Sequence, residues 1–188
     1  MIEKTLVLFK PDAVQRGIVG EILSRFEKVG LKIIALKMLD AGEEQLAKHY
    51  YKDENWLIEK GKGMIKKKGY PEDHDPKKAG QEIVNGLIKD MKISPIIAIV
   101  LEGHNAVMTV KRLTGPTNID EAQPGTIRGD YSHDTFNLAN ISNRPNLTII
   151  HATDNPKEAE KEIEIWFDKN ELHSYEKPED KVHYRKFD

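Results

Sequence analysis

The sequence predicts one domain in which helices and strands are interleaved. Three observations carry this. A chain of 188 residues suits a single core. Short β-branched or apolar runs recur along it, and between them apolar residues repeat at helical spacing. In order, Leu6-Val7-Leu8-Phe9 reads as a buried strand. Ile18, Ile22 and Phe26, joined by Val19 and Leu23, give an amphipathic helix closed near Gly30. Residues 33–39 read as a second strand, and Glu43 to Tyr51 as a helix after Gly42. Ile83, Leu87, Ile88 and Met91 repeat as on a helix, and Pro95 opens the central strand Ile96 to Leu101. Asn105 caps a short helix through Ala106, Val110 and Leu113. Residues 148–150 form the last strand, which ends on His151. Asn155, Pro156 and Glu158 then carry the start signals of a final helix through Ala159, Ile163, Trp166 and Phe167.

Two stretches break this order. Residues 60–82 carry Gly61-Lys62-Gly63, Lys66-Lys67-Lys68-Gly69 and Pro71-Glu72-Asp73-His74-Asp75-Pro76, and read as a polar surface insert. Residues 114–146 hold Gly115, Pro116, Pro124, Gly125, Gly129 and Pro145 without a period. An aperiodic stretch of that length inside a domain points to function or disorder. The segment from 173 to 188 is polar and reads as a surface extension.

Composition removes several classes of function. There are no cysteines, which excludes disulfides, thiol nucleophiles and Cys-based zinc sites. A formal net charge of −2 provides no global field for nucleic acid or anionic lipid. No apolar run reaches membrane-span length, and the expectation is a soluble cytoplasmic protein. Two glycosylation sequons, at Asn140 and Asn146, read as chance matches.

His151 sits where a strand meets a helix start, a place suited to a base or a nucleophile beside backbone N–H donors for phosphate. Lys10-Pro11-Asp12 closes the first strand with an ammonium in reach of a phosphate. In Pro124-Gly125-Thr126-Ile127-Arg128-Gly129-Asp130, glycines flank an arginine whose fork of donors matches phosphate oxygens. Lys111, Arg112 and Thr117 add donors nearby. The phosphate loop G-x-x-x-x-G-K-[ST] and the dinucleotide fingerprint are both absent, so nucleotide handling would need another scaffold.

Taken together, Lys10 to Gly17 with Val19 to Ile22, His49-Tyr50, Pro124 to Asp130, and Ile150 to Asp154 with Glu158 to Ile163 and Trp166-Phe167 resemble the nucleoside diphosphate kinase family, in order along most of the chain. The resemblance implies a single α+β domain over 1–188. Its core would be a ferredoxin-like βαββαβ sandwich, with a four-stranded antiparallel sheet, helices on one face, extra helices and a long Kpn-type loop. Inserts would fall at about 60–82 and 131–146, with a C-terminal extension at 173–188. It implies ping-pong transfer of a γ-phosphate from ATP or another nucleoside triphosphate to a nucleoside diphosphate, through a phosphohistidine, with Mg²⁺ arriving on the nucleotide. The partners implied are these nucleotides and further copies of the chain, a hexamer being favoured over a tetramer or dimer, with no membrane and no nucleic acid.

Carried over by position, His151 is the phosphorylated residue, and Glu162 and Thr153 orient it. Lys10 and Tyr50 bond near the γ-phosphate, Arg128 and Thr117 near the β-phosphate, and Asp154 lies near the metal. Where the family has a first phosphate arginine, this chain has Lys111 followed by Arg112, and either residue fits. Where it has a ribose-binding asparagine there is Thr148, with Asn146 on the same strand face as the alternative. The base-stacking position falls beside the 60–82 stretch, where Trp56 is the aromatic candidate. Two other classes compete: a nucleic-acid-binding module using Lys60, Lys62, Lys66, Lys67 and Lys68, and a phosphatase hydrolysing the phosphohistidine.

Overall fold

A computed structural model describes residues 2–51, 53–68, 71 and 73–186, with nothing described for the side chains of Lys67 and Lys68. Strand β1 (Ile2–Phe9) leads into a short helix α1 (Pro11–Gln15) and then α2 (Val19–Lys28). Strand β2 (Lys32–Leu39) is followed by α3 (Glu43–Tyr50), α4 (Glu54–Lys68) and α5 (Pro76–Met91). Strand β3 (Ile96–His104) leads to α6 (Ala106–Thr114), a 3₁₀ turn at Ile119–Glu121, α7 (Ile127–Tyr131) and α8 (Phe136–Ile141). The chain ends with β4 (Ile150–Ala152), α9 (Pro156–Trp166), a second 3₁₀ turn at Lys169–Glu171 and α10 (Asp180–His183).

The four strands form one antiparallel sheet in the order β2-β3-β1-β4. With α2 and α6 as crossovers this is the expected βαββαβ arrangement. Alternation along β1 divides the core. Val7 and Phe9 face Ile22 and Phe26 of α2 and Val110 of α6. Leu6 and Leu8 face Leu46 of α3, Met91 of α5, and Ile163 and Trp166 of α9. The two crossover helices thus take one face as expected. The extra helices expected beyond that core close over the other face.

Three local expectations change. Residues 60–82 are mostly helical, because α4 and α5 pack closely as a hairpin. A Cβ on Gly61 would lie 1.7 Å from the Pro76 carbonyl oxygen, and one on Gly80 would lie 2.1 Å from that of Leu57. The glycines that read as breakers are what let the helices meet. Asp75 caps α5, accepting from the Lys77 amide at 2.9 Å. Gly69 and Glu72 of this stretch lie outside the described residues. The aperiodic 114–146 segment is also ordered, with Thr126 and Thr135 capping α7 and α8. Arg144 grips Asp134 through two bonds of 2.6 and 2.8 Å, and Asp134 also accepts from the Leu147 amide at 2.7 Å.

The last strand, finally, begins at Ile150 and not at 148. Ile149 has φ +67°, and the Ile150 amide donates to the Thr148 carbonyl at 2.6 Å, which closes a γ-turn. His151 therefore sits inside β4, opposite Leu8. Residues directly opposite share a face, so His151 points to the side covered by α3 and α9. Among the described residues no helix is long and apolar enough to cross a membrane.

Candidate active site

The site lies where β4 meets the loop after α6. Ile149 is a fully buried, β-branched residue in the left-handed region, a conformation that persists only when its surroundings impose it. The surroundings here are specific. The Lys10 amide donates to the Ile149 carbonyl at 2.9 Å, and the Asp12 carboxylate accepts from the Ile149 amide at 3.0 Å. Arg128 then clamps the turn from the other side. Its Nε donates to the Thr148 carbonyl at 3.2 Å and its Nη2 to the Ile150 carbonyl at 2.9 Å, while Nη1 reaches the Gly115 carbonyl at 2.7 Å. A guanidinium has five N–H donors, so about two remain for a ligand. Burial lowers the Arg128 pKa to about 10, which leaves it charged at neutral pH.

His151 emerges from this turn with its Nε2 2.9 Å from Glu162 Oε2. Thr153 donates to the same carboxylate oxygen at 2.6 Å. Asn155 starts α9 by accepting from the Glu158 amide, and the helix carries Glu162 back over the strand. Burial works to raise the Glu162 carboxyl. The hydrogen bond from His151, the neighbouring imidazoles and Thr153 outweigh it and hold the carboxyl below its ordinary range. An ionised Glu162 accepts, so Nε2 carries a proton and Nδ1 carries the lone pair.

A pocket of about 350 Å³ opens over the imidazole. Lys10, Tyr50, Lys111, Thr117, Arg128, Thr148, His151 and Asp154 all line it, together with Thr114 and Gly115. Lys10 is buried. Burial lowers its pKa, and the charges of Asp90 and Asp12 oppose that. The Tyr50 hydroxyl is buried without a hydrogen bond, and burial pushes its pKa up, so it stays a neutral donor. Lys111 reaches across the mouth to Asp154 at 3.0 Å. Both groups are largely exposed, so this pair contributes little to stability and can open to a ligand.

The remaining expected residues fall elsewhere. Arg112 is exposed and outside the lining, and Lys111 is the member of that pair that faces the pocket. Asn146 is buried away from the lining with both amide atoms unpaired, whereas Thr148 lines it. Trp56 lies on α4, half-buried beneath Lys60, and does not reach the pocket. Its ring lies beneath Lys60, one helical turn away. Two groups at the site carried no sequence expectation of their own. Asp12 acts on the backbone of a residue far along the chain, and His49 lies 4.4 Å from His151 between ring centroids. The His49-Tyr50 pairing was visible in the sequence, but the contact with His151 comes only from packing.

A divalent cation finds one exposed carboxylate at the pocket, Asp154, among cationic donors. Mg²⁺ keeps several waters and is commonly held by one or two carboxylates and substrate phosphates, so this donor set fits a metal arriving on a nucleotide. The one cluster of three potential ligands among the described residues, His49, His151 and Glu162, is nitrogen-rich and does not suit Mg²⁺.

The sequence profile of the nucleoside diphosphate kinase family matches residues 3–58 and 51–172. A nucleoside diphosphate kinase of Pyrobaculum aerophilum is 46% identical over 91% of this chain and 98% of its own length. A crystal structure of an NDP kinase from that organism superposes with a TM-score of 0.87 at 43% identity, covering 93% of this chain and 100% of the other. A nucleoside-diphosphate kinase of Borrelia burgdorferi, solved as a transition-state mimic with vanadate and ADP, superposes at 0.81 with 36% identity, covering 97% of each chain. With a clamped histidine, a pocket of phosphate donors and these relatives, the chain belongs to the nucleoside diphosphate kinase family.

Proposed function

We propose that this chain moves the γ-phosphoryl group of a nucleoside triphosphate to a nucleoside diphosphate, with Nδ1 of His151 as the nucleophile. The observation that carries the assignment is the tie between His151 Nε2 and Glu162, which leaves the lone pair on Nδ1 of a histidine that lines the pocket. Neutral His151 attacks the γ-phosphorus from Nδ1. The N–P bond forms as the bond to the β-bridging oxygen breaks, and the nucleoside diphosphate leaves with that electron pair. The ring acquires positive charge, which Glu162 offsets through Nε2–H. A second nucleoside diphosphate then takes the phosphoryl group by the reverse step.

Lys10 and Tyr50 meet the γ-phosphate oxygens, and Arg128, Lys111 and Thr117 the β-phosphate. Preorganised donors of this kind lower a barrier by several kcal/mol, and phosphoryl transfer requires little else of the protein. Bound Mg²⁺ neutralises phosphate charge, with Asp154 as the carboxylate toward it. Thr148 is the residue in place to meet the ribose. The chain works on cytoplasmic nucleotide pools as a homo-oligomer, a hexamer before a tetramer or dimer. Leu36 and Met38, 52% and 58% exposed on the outer strand β2, supply apolar surface for such contacts.

The test separates kinase from phosphatase. Protein labelled with γ-³²P-ATP and freed of nucleotide is offered GDP or buffer alone. The kinase reading expects label in GTP and slow loss to water. Rapid release of phosphate in buffer would replace it with the phosphatase reading. Lys60 and Lys62 of α4 give no comparable support to nucleic-acid binding, since Lys62 pairs with Glu59 and Lys60 lies over Trp56.

A further inference from the structure

His49 is a buried imidazole at the site with no role in the transfer just described, on which the following inference rests. It is 5% exposed and lies on α3, between Trp166 of α9 and His151 of β4. The indole Nε1 of Trp166 donates to His49 Nδ1 at 3.2 Å. An indole nitrogen can only donate, so Nδ1 of His49 bears a lone pair and the proton of the neutral ring belongs to Nε2. The ring stands edge-to-face to His151, with planes at 83° and centroids 4.4 Å apart. A ring nitrogen of His49 also lies within 4.8 Å of both a His151 ring nitrogen and a Glu162 carboxylate oxygen.

Those three groups are close enough to hold a transition metal, but the tautomer argues otherwise. Metal binding needs a free ring lone pair, and the Trp166 N–H already occupies the one that neutral His49 has. We infer that His49 is a positioning residue: Trp166 fixes its tautomer, and its ring packs edge-to-face against His151 beside Glu162, keeping the nucleophile's ring plane and the carboxylate in register for attack. The arrangement is a fixed imidazole behind a nucleophile and its orienter. Packing locks the members on two helices and a strand, so no loop motion disturbs them.

The experiment is single-turnover phosphorylation of the full chain by ATP, with nucleotide affinity measured in parallel. His49→Phe keeps an aromatic ring but removes the donor, and is expected to slow phosphorylation by about 10–100-fold, as loss of outer-shell partners commonly does, with KM little changed. His49→Gln restores an N–H near the Nε2 position and is expected to recover most of the rate. Trp166→Phe frees the tautomer and gives an intermediate rate. Nitrogen-15 NMR of the imidazoles reads the tautomer in the folded wild type, independently of whether the variants fold, and Nε2–H on His49 is expected. An unchanged rate in His49→Phe, an equal loss in His49→Phe and His49→Gln, or an Nδ1–H tautomer in the wild type overturns the role. Inhibition by Zn²⁺ that His49→Gln abolishes would reassign the three groups as a metal site. A wild type that takes no phosphate from ATP would sink the functional reading itself, whereas a labelled wild type with an unaffected His49→Phe sinks only the positioning role.

Discussion

Ile149 shows what the residue scale holds that a sequence pattern does not. Its β-branched side chain and apolar neighbours read as strand, yet it adopts φ +67° because Asp12 and Arg128 hold the backbone on either side. Neither partner is local, so the turn could not be read from residues 147–151. Asp12→Ala leaves the buried Ile149 amide without its acceptor and is expected to cost about 1–3 kcal/mol in a urea melt, with a slower first phosphorylation. Lys111 and Arg112 differ for a simpler reason. Neighbours on a helix point about 100° apart, and the phase of α6 sends Lys111 to the pocket and Arg112 to solvent. Motif matching named both residues and could not choose. Among the other lining residues, Lys10, Tyr50, Thr117, Arg128, His151 and Asp154 were legible because their chemistry and order along the chain match the family motif, whereas Thr148 replaces the family's asparagine and was named only by its position.

Glu162 carries a residue-scale pH dependence. Its carboxyl lies below its ordinary range in the folded chain, so the unfolded chain binds its proton more readily. The stabilisation is complete above the ordinary carboxylate range and is lost as pH falls through the folded value. Stability measured from about pH 6 downward should therefore decline less steeply in Glu162→Gln than in the wild type. Equal slopes would mean that Glu162 is not held ionised by His151 and Thr153.

At the scale of elements, strands were read well because β-branched runs mark buried sheet, though their ends moved. β1 starts at Ile2 and β3 runs to His104, where Glu3 pairs with Gly103 and Lys4 with Glu102 without an apolar run to mark the strand. The α4–α5 hairpin was not legible. Gly61 and Gly63 weaken a helix pattern, and only the partner helix explains Gly61. Gly61→Ala places a methyl group against the Pro76 carbonyl, and is expected to destabilise the chain by about 1–3 kcal/mol in thermal or urea unfolding. Because α5 also supplies Met91 to the core and Asp90 near Lys10, the same variant should weaken nucleotide binding. Gly63→Ala is the control. Nothing lies within 4 Å of its added Cβ, so it should be neutral or slightly stabilising by helix propensity.

For the whole molecule, the strand order β2-β3-β1-β4 leaves β2 and β4 as edges. The C-terminal segment takes part of the β2 edge, with the His173 amide donating to the Ile34 carbonyl at 2.8 Å and Lys32 bridging Glu102 and Asp180. Leu36 and Met38 beyond that point remain exposed. Composition suggested a surface tail and could not show where it docks, because its contacts are backbone pairing and ion pairs that any polar sequence allows. Light scattering is expected to give an oligomer's mass, and Leu36→Glu with Met38→Glu to lower it. A monomeric wild type would contradict the homo-oligomer.

Site mapping by mass spectrometry tests whether His151 carries the phosphate. After incubation with ATP and Mg²⁺ and removal of nucleotide, phosphate is expected on His151, stable to base and labile to acid, absent in His151→Ala and discharged by added ADP. Phosphate on another residue, or a His151→Ala variant that still labels and turns over at the wild-type rate, would contradict it.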